Sequence, residues 1–172
     1  MKWVLGFFVV LAAVLILVVV IGWLLPKEHV ATREGRYRQP PEAIWRAITD
    51  IDAMPSWRAG LRNVKRLPDR SGLQSWLETT DSGIIPFETT VSEPPGKLAV
   101  RIADAKLPFG GTWTYEIRTT AEGSALRITE NGEVYNPIFR FVSRFILGYT
   151  GTIDAYLKSL AKKFGEPAQV GE

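Results

Sequence analysis

NPIFRFVSRFILGYTGTIDAYLKSL, Asn136–Leu160, decides how the rest of the chain is read. Its first half is apolar enough to suggest a membrane span, yet Arg140 and Arg144 stand inside that half and Gly148 and Gly151 interrupt the stretch near its middle. Two arginines near a bilayer centre would each cost about 2.5–3.5 kcal/mol, which disfavours a span. At helical spacing Ile138, Phe141, Val142, Phe145, Tyr149, Ile153, Tyr156, Leu160 and Phe164 fall close to one stripe, with Arg140, Arg144, Lys158 and Lys162 elsewhere. The spacing predicts a long amphipathic helix laid across an apolar surface, with its arginines toward solvent. Gly weakens a helix interior by up to about 1 kcal/mol, so Gly148 and Gly151 mark the place for a bend or an opening.

The surface to be covered lies upstream. Turn signals at DRSG (69–72), DSG (81–83), EPPG (93–96), PFGG (108–111) and AEGS (121–124) separate short runs, which predicts an antiparallel meander of six strands. Trp113, Tyr115 and Ile117 alternate with Thr112, Thr114, Glu116 and Arg118, and Leu98, Val100 and Ile102 alternate with Ala99, Arg101 and Ala103. One face is apolar and one is wet, Glu88, Glu116 and Arg101 lying on the wet one, so the sheet needs a cover. Ahead of it, Val30–Arg38 suits an extended segment. QPPEAIWRAITDI (39–51) then reads as a proline-led helix with Ile44, Ala47, Ile48 and Ile51 on one side, and a short helical turn comes after it at Pro55–Arg58. These elements define an α+β domain over residues 26–166, with 167–172 as a frayed tail.

Residues 1–25 differ in kind. From Trp3 to Leu25 no charge occurs; as a helix this run would be about 35 Å long, enough to cross a hydrocarbon core of about 30 Å. Trp3 and Trp23 stand where indoles prefer the headgroup level. A cleaved signal peptide normally has a shorter apolar region and a small-x-small site, and IGWLLPKEH offers none, so a single-pass anchor over residues 3–25 is expected. The Lys and Arg count on either side leans toward a cytoplasmic soluble domain. With no cysteine and one histidine, thiolate chemistry and His/Cys metal clusters are excluded. The remaining 20 Lys and Arg nearly balance 18 Asp and Glu, without the basic stripe that nucleic-acid binding needs. PFGGTW lacks the spacing of a phosphate-binding loop, and no cofactor is expected.

PPEAIWRAITDIDAMPSWRAGLRNVKRL (40–67) and RITENGEVYNPIFRFVSRFILGYTGTIDAYLKSLAKKFGE (127–166) resemble the opening and closing elements of the polyketide cyclase/dehydrase-like branch of the START-like superfamily. The resemblance implies a helix-grip fold, an antiparallel sheet wrapped around a long C-terminal helix, with an apolar ligand held between the two. It also implies one strand running through Asn131-Gly132 with Gly132 as a bulge, where the residues alone signal a two-residue hairpin.

The aromatics Trp57, Trp76, Phe87, Trp113, Tyr115, Phe141, Phe145 and Tyr149 either fill the core or wall a cavity; the resemblance implies the cavity. Glu130 shares the apolar side with Leu126 and Ile128 if alternation holds, and would then have a raised pKa and orient a ligand or move a proton; a bulge would turn it to solvent instead. Glu78, after Trp76, has no decided face. His29 reads as a residue of the membrane juncture. The leading reading is a membrane-anchored module binding or carrying a lipid, quinone or polyketide-like molecule. A cyclase or dehydratase using Glu130 is the alternative, and an assembly factor docking through Arg140, Arg144, Lys158 and Lys162 is the third.

Overall fold

The structure is a computed structural model and describes residues 2–171. Helix α1 (Lys2–Leu24) is followed by β1 (Glu28–Tyr37), α2 (Pro41–Thr49) and a 3₁₀ turn at Met54–Ser56. Six strands come next: β2 (Leu61–Arg70), β3 (Leu73–Thr80), β4 (Gly83–Glu93), β5 (Lys97–Ile102), β6 (Phe109–Thr120) and β7 (Gly123–Val134). The chain closes with α3 (Pro137–Val142), a π-helical turn (Ser143–Leu147), α4 (Gly151–Lys163) and β8 (Gln169–Gly171). All strand pairs are antiparallel, in the order β2-β3-β4-β5-β6-β7-β1-β8.

The expected α+β layering forms for the expected reason. Pro41 begins α2, where its missing N–H costs nothing, and Ile44, Ala47 and Ile48 are buried from it. From α4, Ile153, Tyr156, Leu157, Leu160 and Ala161 are buried in one core with Leu98, Val100, Tyr115, Leu126 and Ile128 of the sheet. Each large aliphatic side chain taken fully from water contributes about 1.5–3 kcal/mol, so α4 is held by its stripe. Tyr37 on β1 adds a tie, its hydroxyl donating to the Leu157 carbonyl at 3.1 Å. The opposite face is polar, and its carboxylates sit under arginines: Glu34 beneath Arg118, and Glu88 beneath Arg70 and Arg101.

Several expectations are corrected. The single long helix is two helices, because Gly148 at φ 72° breaks the chain between the π-helical turn and α4. Only α4 covers the sheet. The preceding α3, capped by Asn136 Oδ1 accepting from the Ile138 and Phe139 N–H groups, packs beside α1, leaving Ile138 40% and Phe145 59% exposed. Arg140 does not face solvent; it is buried, its guanidinium donating to the carbonyls of Leu25 at 2.8 Å, Tyr135 at 3.3 Å and Trp23 at 3.4 Å. A docking surface built on it is thereby removed.

Gly132 is not a bulge: β7 keeps an unbroken register against β6 and β1, with Gly132 opposite Gly111 and His29. The tail contributes β8, which pairs with Glu34–Arg36 at the edge of the sheet. Among the described residues of α1 the apolar side chains are exposed except at Val18 and Ile21, and Gly22 and the following Leu25 are withdrawn from solvent with them. Gly6–Leu24 is long and apolar enough to cross a membrane.

The two glycines in the opening stretch separate by substitution. Gly148→Ala forces a side chain into the left-handed region and is expected to cost about 1–2 kcal/mol. Gly151→Ala, at the first residue of α4 with open space around it, is expected to be neutral or to stabilise by up to about 1 kcal/mol. Urea unfolding of the full chain in detergent reads both.

Candidate functional site

Strand alternation and register bring the polar groups of the inner face to two places. At the deep end, Trp76 and Glu78 are two residues apart on β3 and share a face, with Trp76 opposite Phe87 and Glu78 opposite Ile85 and Val64. The undecided Glu78 thus points inward and is 2% exposed. Its Oε1 accepts from Arg58 Nη1 at 2.7 Å and from the Trp76 indole N–H at 3.1 Å. Arg58 comes from the loop after the 3₁₀ turn, where its own N–H donates to the Met54 carbonyl. Burial works against the guanidinium charge, but Glu78 and the phenols of Tyr115 and Tyr156 outweigh it and hold the group firmly protonated.

Tyr156 of α4 gathers the aromatics. Arg58 lies 5.2 Å from its ring centroid, Trp57 at 5.4 Å, Tyr115 at 5.7 Å and Trp113 at 5.9 Å. Trp76 stacks on Phe87 at 5.8 Å. Burial pushes both tyrosine hydroxyls up, so they stay protonated. The two phenols lie close enough to influence each other's ionisation. Three buried polar atoms around this point, Glu78 Oε2, the Tyr156 hydroxyl and Trp57 Nε1, make no hydrogen bond among the described residues. Leaving such a group unmatched costs about 1–3 kcal/mol, so the deep end is an incompletely satisfied polar pole inside an aromatic shell.

The second place lies toward α1. His29 stacks on Tyr149 with centroids 3.9 Å apart and planes 16° apart, and its Nε2 lies 3.9 Å from Glu130 Oε1. Glu130, opposite Trp113 and Ala31, is on the inner face beside Ile128. Burial raises its pKa, with the Trp113 indole N–H acting in the other direction, and burial lowers that of His29. The imidazole is therefore neutral near pH 7 and its approach to Glu130 is a polar contact rather than an ion pair. Gly132 makes room: a Cβ there would lie 2.3 Å from His29 Cε1 and 2.4 Å from Nε2. The glycine assigned to a bulge serves a close approach.

Of the residues singled out from sequence, Trp57, Trp76, Phe87, Trp113 and Tyr115 form the deep cluster, and Glu130 and Tyr149 each lie against His29 at the other end. Phe141 and Phe145 pair with each other at 4.9 Å in the segment beside α1. The aromatics fill the space between sheet and α4, and the clefts at the surface are lined by other residues. Sequence reasoning missed Arg58, which carries no periodic signal, and His29, whose nearness to the apolar run hid its pairing across β7. Among the described residues no cluster of three or more His, Asp and Glu suits a metal.

Arg58→Met is expected to destabilise the fold by about 3–5 kcal/mol by leaving Glu78 buried and unpaired, and adding Glu78→Leu should recover most of that loss. Chemical denaturation of the two variants checks it. Glu130, with a raised folded-state pKa, contributes stability below its ordinary value of 4.5 that is lost as pH rises through the folded value. Glu130→Gln should therefore raise the melting temperature at pH 7, with the gain shrinking as pH falls toward 4.5. His29 works oppositely: its contribution is present above 6.5 and is lost as pH falls below it.

Comparison with known proteins agrees with this architecture. A search of curated proteins returns no match. Among solved structures the chain is similar to norcoclaurine synthase from Thalictrum flavum, at 14% identity and TM-score 0.63, over 81% of this chain and 88% of that one. It is also similar to the di-domain ARO/CYC StfQ from the steffimycin biosynthetic pathway, at 12% identity and TM-score 0.61, over 81% of this chain and 52% of that one. A protein of Mesorhizobium loti matches at 19% identity and TM-score 0.57, over 78% and 98%. At these identities the likeness is one of fold, and the helix-grip arrangement implied by the sequence is the one observed. Residues 31–165 match the family described as polyketide cyclase / dehydrase and lipid transport, and the chain belongs to that family.

Proposed function

We propose that this protein is a membrane-anchored module that takes an apolar small molecule, a lipid, quinone or polyketide-like compound, between sheet and α4. The observation that carries this reading is the deep polar pole: Glu78 Oε2, the Tyr156 hydroxyl and Trp57 Nε1, all buried and unmatched within an aromatic shell. A ligand end that both donates and accepts, such as a hydroxyl, would satisfy these atoms. A carboxylate would meet Glu78 and an ammonium would compete with Arg58, so the polar end is uncharged. The family couples cyclases and dehydrases with lipid transport, which agrees with an apolar body. Helix α1 supplies the anchor, and only Leu25–Lys27 separate it from β1, so the domain stays beside the bilayer.

Ligand entry requires the aromatics to part. Tyr149, between the Gly148 break and α4, is the side chain we infer to move, since it stacks on His29 at the end near α1.

A second reading is favoured by Glu130 itself. A carboxyl kept protonated to higher pH than usual, with a neutral imidazole 3.9 Å away, suits proton transfer to a ligand passing that end, as a cyclase or dehydratase would use. Turnover of a bound polyketide-like molecule that vanishes in Glu130→Gln while binding persists would select this reading over simple carriage.

Mass spectrometry of the full-length protein extracted with its native lipids is expected to find one class of apolar molecule bearing an uncharged polar end. Tyr156→Phe removes a hydroxyl with no well-formed protein partner, so stability should hold or rise while ligand affinity falls about 2–10-fold. Recovery of no such molecule from the wild-type protein, or unchanged affinity in the variant, overturns the assignment of the pole.

A further inference from the structure

Resting on the reading of α1 as a membrane anchor, we propose that α3 and the π-helical turn after it are inserted in the same leaflet as the C-terminal end of α1. The fold would then be fixed to the bilayer by a second, non-spanning element.

Depth is the first argument. The stripe of α1 withdrawn from solvent is Val18, Ile21, Gly22 and Leu25, one side of its last two turns. That side is where α3 packs: a Cβ on Gly22 would lie 1.9 Å from the Pro137 carbonyl oxygen. From the first to the last of these positions the helix rises about 10 Å along its axis, so α3 lies level with the part of α1 that enters hydrocarbon. An element packed there meets acyl chains on its outer side.

Its outer side fits them. Phe139, Phe145, Ile146 and Leu147 are 52%, 59%, 69% and 69% exposed, and the last three are consecutive. Such a patch is a liability in water and continues the bare surface of Trp23 and Leu24, which are 71% and 72% exposed. A membrane reading also requires that backbone groups be matched without water. Asn136 Oδ1 takes the first N–H groups of α3. The Arg140 guanidinium takes the carbonyls of Leu25, Trp23 and Tyr135, the first two at the negative end of α1. The arginine that looked incompatible with lipid thus turns its Nη1 group on the end of the anchor and its Nη2 group on Tyr135. Arg144, four residues on and exposed, can extend toward lipid phosphates. Tyr149 lies two residues after Leu147, so the end of the fold holding His29 and Glu130 would open onto that leaflet.

The protein has no cysteine, which makes the test direct. Single cysteines at Phe145, Leu147, Val14 and Glu122 in the full chain are labelled with an environment-sensitive fluorophore. The protein is then placed in vesicles of phosphatidylcholine and phosphatidylglycerol carrying spin-labelled acyl chains. The labels at Phe145 and Leu147 should lose roughly half or more of their emission to the spin-labelled chains, while the label at Glu122, in the exposed β6–β7 turn at the other end of the strands from α1, keeps its emission. Quenching at Val14 with none at Phe145 and Leu147 leaves the anchor standing and overturns this proposal. Absence of quenching at Val14 as well overturns the anchor and the proposal with it. Blue-shifted but unquenched emission at Phe145, with crosslinking between copies, assigns the patch to a second chain and also overturns it.

Discussion

Glu78 is almost wholly removed from water on the inner face of β3, one strand in from the β2 edge of the sheet, and Arg58 is what makes that position tolerable. Bringing each charge out of water costs several kcal/mol, and their attraction offsets this only at close, well-formed geometry, which the 2.7 Å contact provides. The requirement organises much of the domain. Arg58 can reach Glu78 only if the segment after α2 folds inward through its 3₁₀ turn, which closes the β2–β3 end of the sheet. Its guanidinium then supports the Tyr156 ring, which fixes where α4 crosses and gathers Trp57, Trp113 and Tyr115 around one point. Well-packed apolar residues would stabilise such an interior as well or better, so a polar pole with three unmatched atoms is explained more readily by recognition than by folding.

A second buried arginine does comparable work at the other end. Arg140 turns its Nη1 donors on the carbonyls at the close of α1, joining that helix to the α3 segment. Gly22 permits the close approach and Gly148 releases the chain into α4. The two arginines therefore hold opposite ends of the fold: one sets the floor of the inner face, the other sets where that face stands relative to α1.

The elements legible from sequence were those with a local period. The six-strand meander, α2, α4 and α1 follow from alternation, helical spacing and apolar length, which the residues carry whatever their surroundings. The break at Gly148 was visible only as a weak point, because periodicity continues across it and the departure of α3 is decided by α1, a partner no spacing rule names. Glu130 was placed inward by alternation, and the register left no bulge to turn it out. Glu78 was ambiguous because its strand has mixed residues on both sides, and Arg58, in a loop, had no pattern to reveal it. His29 was set aside for its position in the chain; what brings it to Glu130 is pairing between strands about a hundred residues apart.

Trp113 joins the two polar places. It lies opposite Glu130 in the β6–β7 register, where its indole N–H favours the charged carboxyl, and its ring contacts Tyr115 and Tyr156 at the deep pole. In the proposed binding mode, a molecule entering past His29 and Tyr149 would have to pass this ring before its polar end reached Glu78. Displacement of Trp113 would withdraw the indole from Glu130, which removes the one influence opposing desolvation and drives that carboxyl further toward its protonated form. Occupancy of the deep pole by the proposed ligand would therefore be linked, through one side chain, to the protonation of Glu130. The same linkage makes substitutions at Trp113, Tyr156 and Glu130 non-additive, since each alters the surroundings in which the other two act.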